Sequence, residues 1–319
     1  RPGRVLVQTD AHNRAFSRVE SPPTAGVSLE LTIDKFIQYI AERELRAAVL
    51  EHDAAAGTVI VMDPSTGEIL ALANEPTFNP NSFSGSTPDA RRNRATQDVY
   101  EPGSTFKIVT AAAALEEQLF EPQQTIDTSP GVIRFGSHRI TDMGRNYGAL
   151  SFEDVIVKSS NVGASKIGVT LGPERLGRYV TRFGFGQTAS RDFAGQSRGI
   201  VHRDWSRLRD ADLATTSIGY GISVTPLQMA AAMSAIANGG ELVEPRLVRA
   251  QISGAQRLEV APHVVRRAIS RETASTLTRI LEDVVSRGTA RSAQVEGYTV
   301  AGKTGTSEKI IDGRYAETG

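Results

Sequence analysis

Two periods run through the hydrophobic and polar positions of the chain. Ser28 to Ile33 puts Leu29, Leu31 and Ile33 on one face, the pattern of a strand. From Asp34, a residue suited to cap a helix, Phe36, Ile37, Ile40, Ala41, Leu45, Ala48 and Val49 recur at helical spacing. Gly57 to Asp63 is a short apolar run, Pro64 to Gly67 a turn and Glu68 to Ala73 a second run, which together predict an antiparallel hairpin. Residues 75–103 read as a long loop of the kind that carries function. After Pro102-Gly103 the segment STFKIVTAAAALEEQ, starting at Ser104, is a strong helix former. Further helices are expected around Ser159-Ser160-Asn161, over Pro173 to Phe183, from Thr225-Pro226 to Asn238-Gly239, and over Ser270 to Val285. Residues 184–209 are loop-like, and strands are expected over Arg246 to Ile252 and Tyr298 to Ala301. Strands towards both ends around a central helical block predict an α+β fold with an antiparallel sheet flanked by helices. Residues 1–27, polar with one apolar patch at Val5 to Val7, read as an entry strand and linker.

Composition narrows the function more than the fold. With 39% hydrophobic and 23% charged residues, the 319-residue chain is ordinary for a globular protein of one or two domains. Lys+Arg and Asp+Glu number 36 each, so there is no basic excess to hold nucleic acid. The absence of cysteine excludes disulfides and thiolate metal sites. No histidine cluster has ligand spacing, so neither metal nor cofactor is expected. No apolar run reaches the roughly 18 residues a membrane span needs, and no signal peptide is visible.

The candidate chemistry centres on Ser104. On a helix, Lys107 lies one turn on, with its Cβ about 5–6 Å from that of the serine. A serine with an amine at that distance can be a nucleophile with its own general base. The amine must then be neutral, whereas at its ordinary pKa only about one lysine in 2,500 is free at pH 7. Burial or a second cation would supply the shift, so a second lysine is expected at the site. An isolated Ser-x-x-Lys is weak, because a serine near a helix start is more often a cap.

Three longer patterns compete. Gly297-Tyr-Thr-Val-Ala-Gly302-Lys303-Thr304 formally matches a phosphate-binding loop, but no buried strand precedes it and glycines follow where a helix should start. Gly195-Gln196-Ser197-Arg198-Gly199 matches a nucleophile elbow, with His202 and His263 downstream, but it too lacks the buried strand. The third pattern is a constellation in fixed order: Ser104-x-x-Lys107, then Ser159-Ser160-Asn161, then Lys303-Thr304-Gly305-Thr306. It supplies the second lysine that the Ser104–Lys107 pair requires.

With these motifs, and with the stretches GTVIVMDPSTGEILALANEPTFNPN, RNRATQDVYEPGSTFK, SSNVGASKIG, SIGYGISVTPLQMAAAMSAIANGG and VAGKTGTSEK, the chain resembles the transpeptidase domain of class B penicillin-binding proteins, most closely the division type. The resemblance runs from about Gly26 onward. It implies the fold shared with serine β-lactamases, with residues 1–27 a remnant of an N-terminal pedestal and 28–319 the transpeptidase domain. It also implies that the last strands and helix of that fold lie beyond Gly319, and hence that this fragment alone is unstable or inactive. By the same resemblance Ser104 is the nucleophile and Lys107 its base. Ser159 relays the proton, and Asn161 holds Lys107 and the substrate amide. Lys303, Thr304, Gly305 and Thr306 bind the terminal carboxylate, and the backbone N–H groups of Ser104 and Thr306 form an oxyanion hole. The implied ligands are peptidoglycan stem peptides, with a D-Ala-D-Ala donor and an amine acceptor, and β-lactams. A membrane glycosyltransferase and division proteins are the implied partners, on the outer face of the cytoplasmic membrane. Tyr220 stands where relatives often carry glutamine. A carboxypeptidase or β-lactamase of the same fold, and a non-catalytic sensing or scaffold domain, remain as alternatives.

Overall fold

The computed structural model describes residues 2–23, 26–307, 310–311 and 314–315. In chain order its strands are β1 (Arg4–Thr9), β2 (Ala15–Ser21), β3 (Ser28–Leu31), β4 (Gly57–Met62), β5 (Ile69–Glu75), β6 (Thr125–Asp127), β7 (Val132–Phe135), β8 (His138–Thr141), β9 (Ala149–Ser151), β10 (Glu241–Val243), β11 (Val248–Ser253), β12 (Gln256–Glu259), β13 (Val264–Arg267), β14 (Ile310–Ile311) and β15 (Arg314–Tyr315). The helices are α1 (Lys35–Glu51), α2 (Arg94–Gln97), α3 (Lys107–Glu116), α4 (Phe152–Val157), α5 (Asn161–Leu171), α6 (Pro173–Arg182), α7 (Asp210–Ser217), α8 (Pro226–Ala237) and α9 (Arg271–Ser286). The chain divides into two units, residues 1–32 with 247–261, and residues 33–246 with 262–319.

The smaller unit is all strand. β1 and β2 pair antiparallel, and β11 pairs antiparallel with both β12 and β3. The expected strand at Ser28 therefore forms.

The larger unit carries the helices. Asp34 caps α1 by accepting from the N–H groups of Phe36 (2.9 Å) and Ile37 (3.1 Å), which would otherwise lack partners in the first turn. α1 lies on the β4–β5 hairpin, burying Ala41 and Leu45 against Ala71 and Ala73. The amide of Gln38 closes the outer edge of β5, accepting from Leu72 N (2.8 Å) and donating to Leu72 O (3.1 Å).

The main core gathers around α3, in which Ile108, Val109 and Ala111 to Ala114 are completely buried. A helix apolar on all sides must be enclosed by protein, and four successive alanines let neighbouring helices approach closely. α5, α6 and α9 pack on it. α5 also closes on α7, where a Cβ on Gly168 would fall 1.6 Å from Ser217 Oγ. α8 starts with a reciprocal cap between Thr225 and Gln228, with Pro226 at its first position.

Two expectations are revised. Ser104 sits in a 3-10 turn (Gly103–Phe106) and the α-helix begins only at Lys107, because Gly103 has φ +53° and the Pro102 carbonyl takes both the N–H (3.3 Å) and the hydroxyl (2.6 Å) of Thr105. No strand forms over Tyr298 to Ala301. Residues 296–298 are a turn or bend, and the chain runs on without regular structure to 307. The ladders β6–β9 and β7–β8 and the helix α7 carry too few residues for a periodic signal. Among the described residues, no helix is long and apolar enough to cross a membrane.

Candidate active site

A cavity of about 350 Å³ is lined by Ser104, Ser159, Asn161, Thr304, Gly305 and Thr306, so three distant segments of the sequence meet there. Gly103 and Gly305 allow the meeting. A Cβ on Gly103 would lie 2.4 Å from Thr306 O, and one on Gly305 would lie 2.7 Å from Thr105 Cγ2. Gly219 backs the same turn: it accepts from Gly103 N (3.0 Å), and a Cβ there would fall 2.0 Å from Gly103 O. The buried Glu101 ties the turn to the loop after α7 by accepting from Gly221 N (2.7 Å).

Lys107 is fully buried at the start of α3. Its Nζ lies 2.7 Å from Ser159 O, 2.7 Å from Asn161 Oδ1 and 3.2 Å from Ser159 Oγ. Burial, and then the charge of Lys303, push its pKa well below the ordinary lysine value, and Asp142 opposes the shift. A neutral amine has two N–H donors and one lone pair. The two carbonyl oxygens at 2.7 Å match the donors, which leaves the lone pair for a hydroxyl.

Lys303 Nζ donates to Ser159 Oγ (2.9 Å) and to Thr304 O (2.8 Å). Burial lowers its pKa to about 8. Both lysines thus reach one hydroxyl.

Ser159 owes its position to the end of α4. Ser160 N donates to Val155 O (2.9 Å) and Ser159 N to Ile156 O (3.1 Å), the paired bonds of a Schellman ending. That ending needs a left-handed residue, usually glycine. Here it is Ser159, at φ +58°. The turn aims both the carbonyl and the hydroxyl of Ser159 at Lys107. Ser160 then caps α5 by accepting from Gly163 N (2.9 Å).

Two residues at the site carry no motif. Asp142, buried after β8, accepts from Ser160 Oγ (2.8 Å), Asn161 N (2.5 Å) and Val162 N (3.0 Å), placing a carboxylate at the positive end of α5. With Thr141 O, which accepts from Asn161 Nδ2 (2.9 Å), it fixes the asparagine amide so that Oδ1 faces Lys107. Thr289 shares a 2.7 Å hydrogen bond with the Thr304 hydroxyl. Burial of an acid inside a turn has no sequence signature, and a lone threonine has none either. Tyr220 lines the cavity, as its place in the SIGYGIS stretch suggests.

The two competing motifs do not form sites. Among the described residues, 297–304 have neither a strand before them nor a helix after them. Around Ser197 the Gln196 side chain closes a loop, accepting from Ala189 N (2.9 Å) and donating to Phe193 O (2.9 Å), while His202 bonds Thr216 (3.0 Å).

Residues 57–318 match the family described as the penicillin binding protein transpeptidase domain. The chain is 38% identical over 323 residues to stage V sporulation protein D of Bacillus subtilis, covering 99% of this chain and 50% of that protein. It is 35% identical over 318 residues to the peptidoglycan D,D-transpeptidase FtsI of Escherichia coli, covering 98% and 52%. The chain therefore spans about half the length of these relatives. Penicillin binding protein 3 of Mycobacterium tuberculosis, solved in complex with aztreonam, superposes with a TM-score of 0.86 at 29% identity, covering 99% of this chain and 82% of that one.

Proposed function

The chain belongs to the penicillin-binding protein transpeptidase family, and from that premise we propose that it is a serine acyltransferase that crosslinks peptidoglycan stem peptides and is acylated by β-lactams. The observation that carries this reading is the buried Lys107 amine, held by Ser159 and Asn161, which line one cavity with Ser104, and Lys303 on the same Ser159 hydroxyl.

The chemistry follows from those contacts. The neutral Lys107 amine takes the Ser104 proton as Oγ attacks the penultimate D-Ala carbonyl. The backbone N–H groups of Ser104 and Thr306 receive the developing oxyanion, worth about 2.7–4 kcal/mol per donor. As the C–N bond breaks, the proton passes from Lys107 through the Ser159 hydroxyl to the leaving amine, leaving an ester on Ser104. Asn161 keeps the Lys107 amine oriented. Lys303, still charged at neutral pH, holds the terminal carboxylate with Thr304 and Thr306, and Gly305 lets that segment lie close to the turn at Ser104. An amine of a second stem peptide then attacks the ester, forms the crosslink and returns the proton to Ser104. The name of one relative favours a sporulation setting and that of another peptidoglycan crosslinking; work in division on the outer face of the cytoplasmic membrane, alongside a membrane glycosyltransferase, is part of the proposal.

Intact-mass measurement after benzylpenicillin tests the reading. In the full-length protein the wild type is expected to gain one covalent adduct and Ser104→Ala none. An adduct on both would remove Ser104 from its role.

A further inference from the structure

Beyond the groups assigned so far, the cavity wall carries Arg145, Tyr147 and Lys158. Arg145 is exposed, and among the described residues it makes no ion pair; its guanidinium donates to Tyr147 Oη (3.1 Å). Lys158 Nζ lies 5.6 Å from the centre of the Tyr147 ring. Lys158 Nζ lies 4.0 Å from Asp154 Oδ2, and Arg287 binds the other oxygen of that carboxylate at 2.6 Å. Among the described residues, the one acid lining the cavity, Asp142, is buried and spends both oxygens on α5 and its cap. Among the described residues, the solvent-facing charges of this wall are therefore all positive, and a concave surface concentrates such a potential on a ligand.

The wall is also held in place. Arg145 N donates to Asp142 O (3.1 Å), and Arg145 O lies so close to Gly131 that a Cβ there would be 2.0 Å from it. Lys158 is the last residue before the left-handed turn at Ser159.

We propose that Arg145 and Lys158, braced by Tyr147, form a second anion subsite that takes a carboxylate on the acyl-donor part of the ligand, a proposal that rests on the transpeptidase reading. Lys303 and its threonines are taken by the terminal carboxylate. No ligand group lies beyond the terminal residue, so a second anion on the same peptide must lie N-terminal to the scissile bond. Stem-peptide residues bearing a free side-chain carboxylate fit; their amidated forms fit less well.

The test uses two β-lactams identical except that the acylamino side chain ends in a carboxylate or in its methyl ester. Second-order acylation rates are measured on the full-length protein, for the wild type, Arg145→Ala, Lys158→Ala and the double variant. For the wild type, the carboxylate compound is expected to react about tenfold faster, the range of one charge-assisted contact. The double variant should lose that preference while reacting with the ester at the wild-type rate. The preference should also shrink as salt is raised from about 0.05 to 0.5 M, because exposed charges are screened. Equal rates for both compounds in the wild type, or a preference that survives in the double variant, overturn the subsite and leave the transpeptidase reading intact. No acylation by either compound overturns that reading, and the subsite with it.

Discussion

Lys107 and Lys303 flank the hydroxyl of Ser159, yet the walls that carry them are built differently. Lys107 starts a helix buried on every side, and its partners stand on the capped junction between α4 and α5. Lys303 lies in a stretch without regular structure, whose backbone is tied to the helical block where Gly302 N donates to Leu281 O (3.1 Å). The Lys107 side of the cleft is thus locked by packing and capping, whereas the Lys303 side depends on a few polar contacts and two close glycines. A base must hold its lone pair in one direction, but a cation can attract a carboxylate over a wider range of positions.

The sharpest way to break this contrast is Lys107→Met. Acylation should fall by about 10²–10⁴-fold, the usual worth of a positioned base, while the fold is kept at a cost of about 1–3 kcal/mol, because a thioether of similar length fills the space of the amine but leaves the Ser159 and Asn161 oxygens without its N–H donors. Lys107→Met with a wild-type acylation rate would show that another group is the base. The pH profile separates the two lysines. Acylation should rise with pH as Lys107 loses its proton, then decline above about pH 8 as Lys303 loses its charge. Lys303→Arg should move that alkaline limb upward. The linkage has a definite sign: with a folded pKa of about 8 against 10.5 for the free group, the unfolded chain binds more protons between those values. Stability should therefore rise across that window, as chemical denaturation at pH 7.5, 9 and 10.5 would show.

Next in size is Ser159→Gly. Acylation should drop about a hundredfold, since the hydroxyl shared by both lysines disappears. Stability should rise by about 0.5–1 kcal/mol, because glycine adopts the left-handed turn without the steric cost a serine bears. A variant that is both slower and more stable would mark the residue as kept for chemistry at the expense of the fold; a loss of both would show that its carbonyl geometry depends on serine.

Gly103→Ala attacks the closure between the walls. With φ +53° and Thr306 O at 2.4 Å from the new Cβ, either the turn or the Lys303 segment must move. A shift of this kind near reacting atoms should slow acylation about tenfold and lower the melting temperature. An unchanged rate would mean that the Lys303 segment adapts freely.

The same contrast explains what was legible beforehand. Asp34, Thr225-Pro226 and Ser270 announce their helices because capping is local chemistry, and the hairpin of β4 and β5 follows from period and turn residues. The clustering of Ser104, Lys107, Ser159, Asn161 and Lys303 was readable because each lies in a short motif. Asp142 was not, for its importance lies in facing the start of α5 from a loop 19 residues before Asn161. Nor was the left-handed serine, since Ser159 reads as an ordinary polar residue before a cap. The expected strand at Tyr298 failed because an apolar alternation makes a strand only where a partner edge is present.

Thr289→Val is the mildest way to sharpen the comparison. Thr289 follows Gly288, where a Cβ would lie 2.5 Å from Val157 O, so its backbone is pinned against the end of α4. Its hydroxyl reaches from that rigid side to the Thr304 hydroxyl at 2.7 Å, a side-chain link between the helical wall and the loose one. Valine keeps the shape and removes the bond. One neutral hydrogen bond is worth about 0.5–1.5 kcal/mol, so acylation should slow about threefold, with the loss in ligand affinity and not in the maximal rate. A fall in the maximal rate instead would show that Thr304 is positioned for the chemical step, and that the loose wall does more than hold charge.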